Sequence, residues 1–246
     1  MMEKVALITG GASGLGATIS EFLASKHINI IINYNTSKEK ALKLKERLEK
    51  QYNVKVLTVK CDISSENEIN EMVSEITKVF DHIDYLVNNA AICIDSLYND
   101  KTKDNFIKTL EVNVVGTFLV SKLIGNIMYE QKYGSIVNLS STTGFDKNFP
   151  MSLDYDASKA AINSLTHNLA LQYAPYVRVN AVAPGWVKTE NEIKDLDEEY
   201  IKSEEEKIYV GRFAECEEIA KIIYFLLSDD ASYINNQIIK VDGGMY

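Results

Sequence analysis

The sequence predicts a single α/β domain in which a parallel sheet carries helices on both faces. Short apolar runs alternate with helical stretches along the chain, and strands that alternate with helices of this length form parallel sheets. The 246 residues suit one such domain, and no linker rich in proline or glycine divides them. The apolar runs are typical of strands buried on both faces. Right-handed crossovers between such strands make the predicted sheet doubly wound.

The predicted elements follow one another along the whole chain. Residues 5–8 form the first apolar run, and a glycine-rich turn separates it from a helical stretch at 17–26. The other strands are predicted at 28–32, 54–61, 85–87, 135–139, 177–182 and 237–241, and the other helices at 38–51, 66–80, 102–132, 155–173 and 217–227. A stretch rich in Asp and Glu, residues 190–207, interrupts this pattern. It is either a solvated helical insertion or a mobile flap over a site, within an insertion around 188–212.

Composition narrows the class of protein before any motif is considered. The chain is 46% hydrophobic and 25% charged, as in soluble globular proteins, and its net charge of −9 argues against nucleic acid as the main partner. We expect no membrane span, since no apolar run approaches the ~18 residues needed. The apolar run near the N-terminus is too short for a secretory signal, which favours a cytoplasmic location. Three widely spaced cysteines, Cys61, Cys93 and Cys216, predict reduced thiols and no metal site.

A glycine-rich turn between the first strand and the first helix predicts a phosphate-binding site. A phosphate at this position would meet unpaired backbone N–H groups and the positive end of the helix dipole. Glycines are needed where a side chain would keep a pyrophosphate away from the backbone. The candidate residues for binding a dinucleotide here are Gly10, Ser13, Gly14, Leu15 and Gly16.

The end of the second predicted strand bears on which dinucleotide binds. NAD binders place an acidic residue there to accept the ribose 2′-hydroxyl, whereas this chain has Tyr34, Asn35 and Thr36. A carboxylate would repel a 2′-phosphate, so its absence favours NADP(H), with NAD(H) as the alternative. Asp62, after the third strand, either hydrogen-bonds an adenine amino group or ends a turn.

Tyr155 and Lys159 are the strongest catalytic candidates in the sequence. They lie four residues apart at the start of a predicted helix, so their side chains share one face. A lysine ammonium favours the phenolate and lowers the pKa of the tyrosine, which could then exchange a proton with a carbonyl oxygen. The same spacing also occurs at the start of ordinary amphipathic helices. A serine in the loop after residues 135–139 could hold a substrate carbonyl beside the tyrosine.

These motifs together resemble the short-chain dehydrogenase/reductase family. The resemblance rests on the glycine turn, Asn88-Asn89-Ala90, Asn113, Ser141, Tyr155-x-x-x-Lys159 and Pro184-Gly185, and it runs in order along nearly the whole chain. It implies a Rossmann-type sheet of about seven strands and a catalytic tetrad of Asn113, Ser141, Tyr155 and Lys159. By the same resemblance, Tyr155 is the general acid/base, Ser141 orients the carbonyl, Lys159 also binds the nicotinamide ribose, and Asn113 supports a proton-relay water. The further cofactor contacts implied are Ile63, Asn89, Ala90, Pro184, Gly185, Val187 and Thr189.

The length, the closing Val-Asp-Gly-Gly-Met at 241–245, and Gly211-Arg212-Phe213 ahead of residues 217–220 carry a narrower resemblance. On these features the chain is most similar, within the family, to bacterial 3-oxoacyl-acyl-carrier-protein reductases. This similarity implies an NADP(H)-dependent reduction of a 3-oxoacyl thioester in fatty acid biosynthesis, with acyl carrier protein as a partner and a homotetramer as the assembly. The chain departs from those reductases at Ser13, where they usually carry a basic residue, and in its acidic stretch, which would repel an acidic carrier protein. A dehydrogenase of a sugar, polyol or other small alcohol is the alternative enzyme, and a non-catalytic dinucleotide sensor is the alternative of another class.

Overall fold

A seven-stranded parallel sheet forms the centre of the protein. The computed structural model describes residues 3–145, 147–189, 193–194 and 196–245. The strands are β1 (Val5–Ile8), β2 (Asn29–Tyr34), β3 (Val56–Lys60), β4 (Tyr85–Asn88), β5 (Gly134–Leu139), β6 (Val177–Pro184), β7 (Val187–Lys188), β8 (Ala214–Glu215) and β9 (Ile238–Val241). The order across the main sheet is β3-β2-β1-β4-β5-β6-β9, and every neighbouring pair is parallel. The predicted parallel α/β fold with about seven strands is confirmed.

Helices cover both faces of this sheet, as the doubly wound fold requires. They are α1 (Gly14–Ala24), α2 (Lys38–Tyr52), α3 (Glu66–Thr77), α4 (Lys103–Leu110), α5 (Thr117–Gln131), α6 (Leu153–Tyr173), α7 (Glu198–Glu205) and α8 (Cys216–Leu227). Successive side chains of a strand point to opposite faces. Accordingly, Ala6 and Ile8 of β1 pack with α1, α2 and α8, whereas Val5 and Leu7 pack with α3, α5 and α6. The core is therefore two apolar layers separated by the sheet.

The long helix predicted at 102–132 is three pieces rather than one. α4 ends at Leu110, a π-helical turn spans Glu111–Gly116, and α5 begins at Thr117. At Gly116, an added Cβ would lie 2.7 Å from the carbonyl oxygen of Ile63, so the turn presses directly on the loop after β3. π-Helical turns occur mostly within α-helices and frequently at functional sites. Here the turn contains Asn113, one of the predicted site residues.

The same stretch, Lys103–Gln131, bears on the expectation that the chain has no membrane span. By length and composition it could cross a membrane, and 44% of its most apolar window is buried within the protein. The buried side chains include Val120, Ile124 and Met128 of α5, which pack against the sheet. A core helix of a soluble protein has these same properties, so the stretch is weak evidence for a membrane span.

A second, two-stranded sheet was not predicted from the sequence. β7 and β8 pair in parallel, with Val187 opposite Ala214, and α7 lies between them along the chain. α7 falls within the predicted flap at 188–212, and the two strands lie at its ends. Residues 190–192 and 195 of the flap lie outside the described residues. The acidic stretch contributes α7, whose side chains are mostly exposed apart from Glu204.

Candidate active site

The candidate site lies at the carboxyl ends of the central strands. The strand order reverses at β1, which has β2 on one side and β4 on the other. Ligands of doubly wound sheets bind in the crevice at such a reversal, outside the carboxyl ends of the strands. The loops after β1, β4, β5 and β6 meet at this edge. Together they carry most of the predicted site residues.

The glycine turn after β1 leaves room for a ligand close to its backbone. Gly10 and Gly14 have φ values of +61° and +51°, a region that favours glycine. A Cβ at Gly16 would lie 2.3 Å from the carbonyl oxygen of Gly10, so no side chain fits there. Ser13 caps the start of α1 without a capping hydrogen bond from its own side chain. The first N–H groups of α1 are thus left for another acceptor, as a phosphate cradle requires.

Asn33 holds the glycine turn in place, a role the sequence analysis did not predict. Its side-chain Oδ1 accepts a hydrogen bond from the N–H of Gly10 at 3.2 Å, and its Nδ2 donates to the carbonyl of Cys61 at 3.0 Å. The N–H of Gly11 donates to the main-chain oxygen of Asn33 at 3.0 Å. The side chain is buried at the end of β2. The signal in the sequence that could have indicated this role is the polar side chain of Asn33 after an apolar run.

Asn89 and Ala90, predicted to contact the cofactor, also shape this turn. The backbone N–H groups of Asn89 and Ala90 donate to Oγ1 of Thr9 at 2.9 and 3.0 Å. Nδ2 of Asn89 donates to the carbonyl of Thr9 at 3.0 Å. These bonds fasten the loop after β4 to the turn after β1. The two loops therefore form one continuous wall of the crevice.

The loops after β2 and β3 form the adenine side of the predicted site. Tyr34 is buried, whereas Asn35 and Thr36 are exposed. Nδ2 of Asn35 donates to Asp62 at 3.1 Å, and the Ser64 hydroxyl donates to Asp62 at 2.7 Å. Burial acts to raise the pKa of Asp62, but the hydrogen bonds from Ser64 and Asn35 outweigh it and hold the pKa below its usual value. Asp62 thus ends the turn after β3 and keeps an ionised carboxylate beside Asn35.

Tyr155 and Lys159 share one face of α6, as their spacing predicts. Nζ of Lys159 lies 5.2 Å from the centroid of the Tyr155 ring and donates to the carbonyl of Leu139 at 2.7 Å. Lys159 is buried, and this burial lowers the pKa of its ammonium to about 8, although the nearby Cys93 thiol acts in the opposite direction. The ammonium still predominates at pH 7. Cys93 belongs to the loop after β4, and the sequence analysis gave it no place at the site.

Ser141 begins a short 3-10 turn, Thr142–Gly144, which is hydrogen-bonded to α6. Oγ of Ser141 accepts a hydrogen bond from the N–H of Thr143 at 3.2 Å. Ser140 donates to Oδ1 of Asn163 at 2.6 Å, and Nδ2 of Asn163 donates to the carbonyl of Gly144 at 2.9 Å. Ser141 is thereby held beside the helix that carries Tyr155 and Lys159.

Asn113, the fourth member of the predicted tetrad, is buried in the π-helical turn. Its Oδ1 accepts from the N–H of Ile92 at 2.8 Å, and its Nδ2 donates to the carbonyl of Ile92 at 2.9 Å. Nδ2 also donates to Oγ of Ser158 at 3.0 Å, and Ser158 donates to the carbonyl of Tyr155 at 2.6 Å. The side chain of Asn113 therefore links the loop after β4 to the first turn of α6.

The loop after β6 closes the crevice opposite the glycine turn. Gly185, which follows Pro184, lies so close to Asp242 that an added Cβ would be 3.0 Å from the Asp242 Cβ. Val187 is buried in β7, and Thr189 follows the short strand. A Cβ at Gly14 would lie 4.0 Å from the Cβ of Thr189. The loop after β6 thus approaches the start of α1.

Aromatic side chains tie α7 and β8 to this loop. The ring of Trp186 stacks on Phe213 at 5.3 Å and meets the edge of Phe149 at 5.3 Å. Nε1 of Trp186 donates to Glu204 of α7 at 3.2 Å. Phe149 and Trp186 thus pack on each other, while Phe145 remains 44% exposed.

The residues at this edge fit a nicotinamide dinucleotide. The glycine turn leaves open space beside Gly14, where an added Cβ would lie 4.0 Å from the nearest atom, Cβ of Thr189, and the start of α1 points N–H groups into this space. No group of three or more acidic, histidine or cysteine side chains suited to a metal occurs within the described residues.

Comparisons with known proteins agree with this geometry. A family model described as enoyl-(acyl carrier protein) reductase matches residues 10–246. The 3-oxoacyl-acyl-carrier-protein reductase FabG of Aquifex aeolicus is 41% identical over 247 residues, covering 100% of this chain and 98% of the relative. The crystal structure of levodione reductase has a TM-score of 0.92 and 34% identity, covering 98% of this chain and 96% of its own. The structure of ElxO with NADP bound has a TM-score of 0.90 and 31% identity, covering 99% and 98%.

The chain belongs to the short-chain dehydrogenase/reductase family. It is an NAD(P)-dependent oxidoreductase, and among the curated relatives it is similar to the FabG-type 3-oxoacyl-acyl-carrier-protein reductases. The resemblance inferred from the sequence is therefore confirmed at the level of the family.

Proposed function

We propose that this protein reduces a carbonyl to a hydroxyl with NADPH, with Tyr155 as the proton donor. The observation that carries this proposal is the position of the Lys159 ammonium, 5.2 Å from the centre of the Tyr155 ring in a buried setting. A nearby cation favours the phenolate and makes the phenol a better proton donor near neutral pH.

Each tetrad residue has a role that its surroundings support. Ser141 would hold the carbonyl oxygen, because its hydroxyl sits at the start of a turn fastened to α6. Tyr155 would give its proton to that oxygen. Lys159 would stabilise the resulting phenolate and hold the nicotinamide ribose, and Asn113 would keep the first turn of α6 in position and support a relay water. The bound dinucleotide supplies the hydride.

The dinucleotide would lie along the crevice from the adenine side to the tetrad. Its pyrophosphate would rest on Gly10, Ser13, Gly14, Leu15 and Gly16, and its adenine half would contact Tyr34, Asn35, Thr36, Asp62 and Ile63. Asn89, Ala90, Pro184, Gly185, Val187 and Thr189 would border the nicotinamide half. We favour NADP(H) over NAD(H), because no acidic residue occurs at 34–36. The ionised Asp62 beside Asn35 argues for NAD(H), because its carboxylate would repel a 2′-phosphate.

A 3-oxoacyl thioester is the first candidate substrate, by similarity to the 41% identical FabG of Aquifex aeolicus. This would make fatty acid biosynthesis the setting, acyl carrier protein a partner and the cytoplasm the location. A homotetramer would use the helix that carries Tyr155; Leu153 and Leu171 of this helix are 45% and 81% exposed, as an apolar contact surface requires.

A small ketone or alcohol is the second candidate, and one observation favours it. Asp197, Glu198 and Glu199 place negative charge at the start of α7, within the proposed flap at 188–212. This charge would oppose the approach of an acidic carrier protein. The 34% identical levodione reductase shows by its name that this fold serves other substrates.

A substrate screen tests the proposal and separates its alternatives. Oxidation of NADPH and of NADH would be followed with acetoacetyl-acyl-carrier protein, acetoacetyl-coenzyme A and small diketones. Reduction of NADP⁺ and of NAD⁺ would be followed with sugars and polyols. We expect NADPH-dependent turnover of an acetoacetyl thioester. Turnover of diketones or polyols alone would favour the second candidate. If the protein bound NADPH but turned over nothing, it would be a sensor and the proposed function would be wrong.

A further inference from the structure

Asp154, directly before Tyr155, is a fully buried carboxylate with both oxygens bonded. Its side chain is 0% exposed. Nζ of Lys101 donates to Oδ1 at 2.7 Å, and the hydroxyl of Thr109 donates to Oδ2 at 2.7 Å. Burial acts to raise the pKa of Asp154, but the bonds from Lys101 and Thr109 outweigh it and keep the pKa below its usual value. Asp154 therefore forms an ionised, buried pair with Lys101.

Lys101 is also buried, and it belongs to a different part of the chain. Its side chain is 6% exposed, and its ammonium makes a further hydrogen bond to the carbonyl of Ile94. Lys101 follows the short 3-10 turn Tyr98–Asp100 between β4 and α4. The pair thus joins the start of α6 to the segment after β4, which also carries Ile92, the partner of Asn113.

The first turn of α6 needs such a tether because its own cap is weak. Ser152 occupies the N-cap position but makes no capping hydrogen bond from its side chain. Its hydroxyl donates instead to Asp156 at 3.0 Å. Helix ends without caps tend to fray, and Tyr155 is the third residue of this helix. The position of the phenol therefore depends on contacts made by its neighbours in the sequence.

A buried ion pair is a costly way to gain stability alone. Removing two charges from water costs several kcal/mol, and well-packed apolar residues often stabilise a fold as well or better. Such a pair does fix a geometry, because each buried charge has a single oppositely charged partner and loses its compensation when the two move apart. The Lys101–Asp154 pair fixes the two main-chain segments that flank Tyr155 and Asn113.

We propose that Lys101 and Asp154 are positioning residues that hold Tyr155 in its reactive place. This inference rests on the proposed function, since it concerns the same proton transfer. Neither residue needs to touch the substrate. Their effect is expected on the rate of the chemical step, because small displacements of a reacting group reduce rates strongly.

The charged groups around the pair come from two parts of the chain. Asp156 and Lys159 lie on α6 itself, and Cys93 and Asp95 lie on the segment after β4. The Cys93 thiol interacts electrostatically with both Asp154 and Lys101. α4 contributes the neutral hydroxyl of Thr109. Removal of one charge therefore leaves the other uncompensated close to the catalytic tetrad.

Asp84 provides a matched control at the opposite edge of the sheet. Its carboxylate is also buried and pairs with Nζ of Lys4 at 3.0 Å. It precedes β4 and thus lies at the amino end of a strand, away from the candidate site. Asp84→Asn and Asp154→Asn make the same chemical change at buried carboxylates that pair with a lysine, although Lys4 is 38% exposed and Lys101 only 6%. Only the second is expected to alter catalysis.

The test compares steady-state kinetics of the full-length variants with NADPH binding. Asp154→Asn and Lys101→Met are expected to lower kcat about tenfold or more, with the dissociation constant of NADPH within about twofold of wild type. Lys101→Arg, which keeps the cation, should restore most of kcat. Asp84→Asn should lower Tm and leave kcat unchanged. If Lys101→Met does not fold, Asp154→Asn still provides the comparison, because asparagine keeps the shape of the side chain.

A second readout needs no turnover. In protein labelled with carbon-13 at the tyrosine ring, the Tyr155 signal is the one missing from Tyr155→Phe. This signal should move or broaden in Asp154→Asn and stay in place in Asp84→Asn. If the wild type reduces no carbonyl but the signal moves, the proposed function fails and the positioning role stands. If the variants are folded with unchanged signal and kcat, or if Asp84→Asn loses kcat equally, the positioning role is wrong.

Discussion

Gly144 lies directly against the main chain of Lys159. A Cβ at Gly144 would come within 2.8 Å of both the carbonyl carbon and the carbonyl oxygen of Lys159. Both atoms belong to the backbone of α6 and cannot move aside like the end of a flexible side chain. The turn that begins at Ser141 therefore packs against α6 at a distance that only glycine allows.

Gly144→Ala should disturb this contact. Because the added methyl group has no space, we expect a loss of about 2 kcal/mol in the free energy of unfolding. A lower kcat should accompany it, since Ser141 would shift relative to Tyr155. Thermal unfolding and steady-state kinetics check both effects. The dissociation constant of NADPH is the internal control, and an alanine variant with normal Tm and kcat would contradict the contact.

Tyr155→Phe removes the proposed proton donor and keeps the aromatic ring. We expect kcat to fall by about 100-fold or more, because general acid catalysis contributes at least this much. The dissociation constant of NADPH, measured by fluorescence titration, should stay within about twofold. Tyr233→Phe is the matched control, since Tyr233 is fully exposed and should tolerate the change. Substantial turnover by Tyr155→Phe would exclude the proposed role.

Lys159→Met should move the pH dependence of the reaction to higher pH. In the proposed mechanism the ammonium stabilises the Tyr155 phenolate, so its loss is expected to raise the pKa of the phenol. The profile of kcat against pH, compared with that of the wild type, measures the shift. An unchanged profile would show that Lys159 does not act on the phenol.

The stability of the wild type should also depend on pH through Lys159. Burial lowers the pKa of this lysine from 10.5 to about 8, so between these values the unfolded chain binds more protons than the folded one. Stability from this group therefore rises as the pH increases from about 8 to 10.5, and the cost of burying the charge is present in full below that range. In Lys159→Met this rise should vanish, and stability at pH 7 should increase by about 3 kcal/mol. Denaturant unfolding at several pH values tests it.

Arg178 should contribute to stability but not to catalysis. Its guanidinium donates to the carbonyls of Leu226, Leu227 and Ser228 at 2.7, 3.0 and 2.9 Å, where α8 ends. Arg178→Met removes a donor from all three carbonyls, of which Leu226 and Ser228 keep the Ser135 hydroxyl and the Ala231 N–H, and should cost about 2 kcal/mol. Thermal unfolding measures the loss, with Arg178→Lys as a milder variant. A stable Arg178→Met protein, or one with reduced kcat well below its Tm, would contradict this assignment.

The sheet and the motifs on it were predictable because they depend on local patterns. The apolar run 5–8 has no polar residue, and β1 is indeed buried on both faces, with Ala6 and Leu7 in different core layers. The glycine turn and the spacing of Tyr155 and Lys159 also depend on a few neighbouring residues. Such features need only the periodicity of the chain and the geometry of a strand or helix.

Features that depend on partners distant in the sequence were not predictable. The π-helical turn around Asn113 accompanies hydrogen bonds from that side chain to Ile92, 21 residues away. The pairing of Lys101 with Asp154 spans 53 residues, and nothing near either residue indicates the other. The β7–β8 sheet consists of two-residue strands that leave no periodic signal. In each case the tertiary contact, and not local preference, determines the structure.

The bridge made by Asn33 has a consequence for redesign of the coenzyme preference. If the coenzyme binds as proposed, exchanging the exposed residues 35 and 36 for acidic or basic ones is the direct way to alter selectivity between the two dinucleotides. Their neighbour Asn33, however, holds the glycine turn through Gly10 and the end of β3 through Cys61. Substitutions that shift the end of β2 would thus weaken the binding of both coenzymes and would not exchange one preference for the other. Libraries built on this scaffold should keep position 33 invariant.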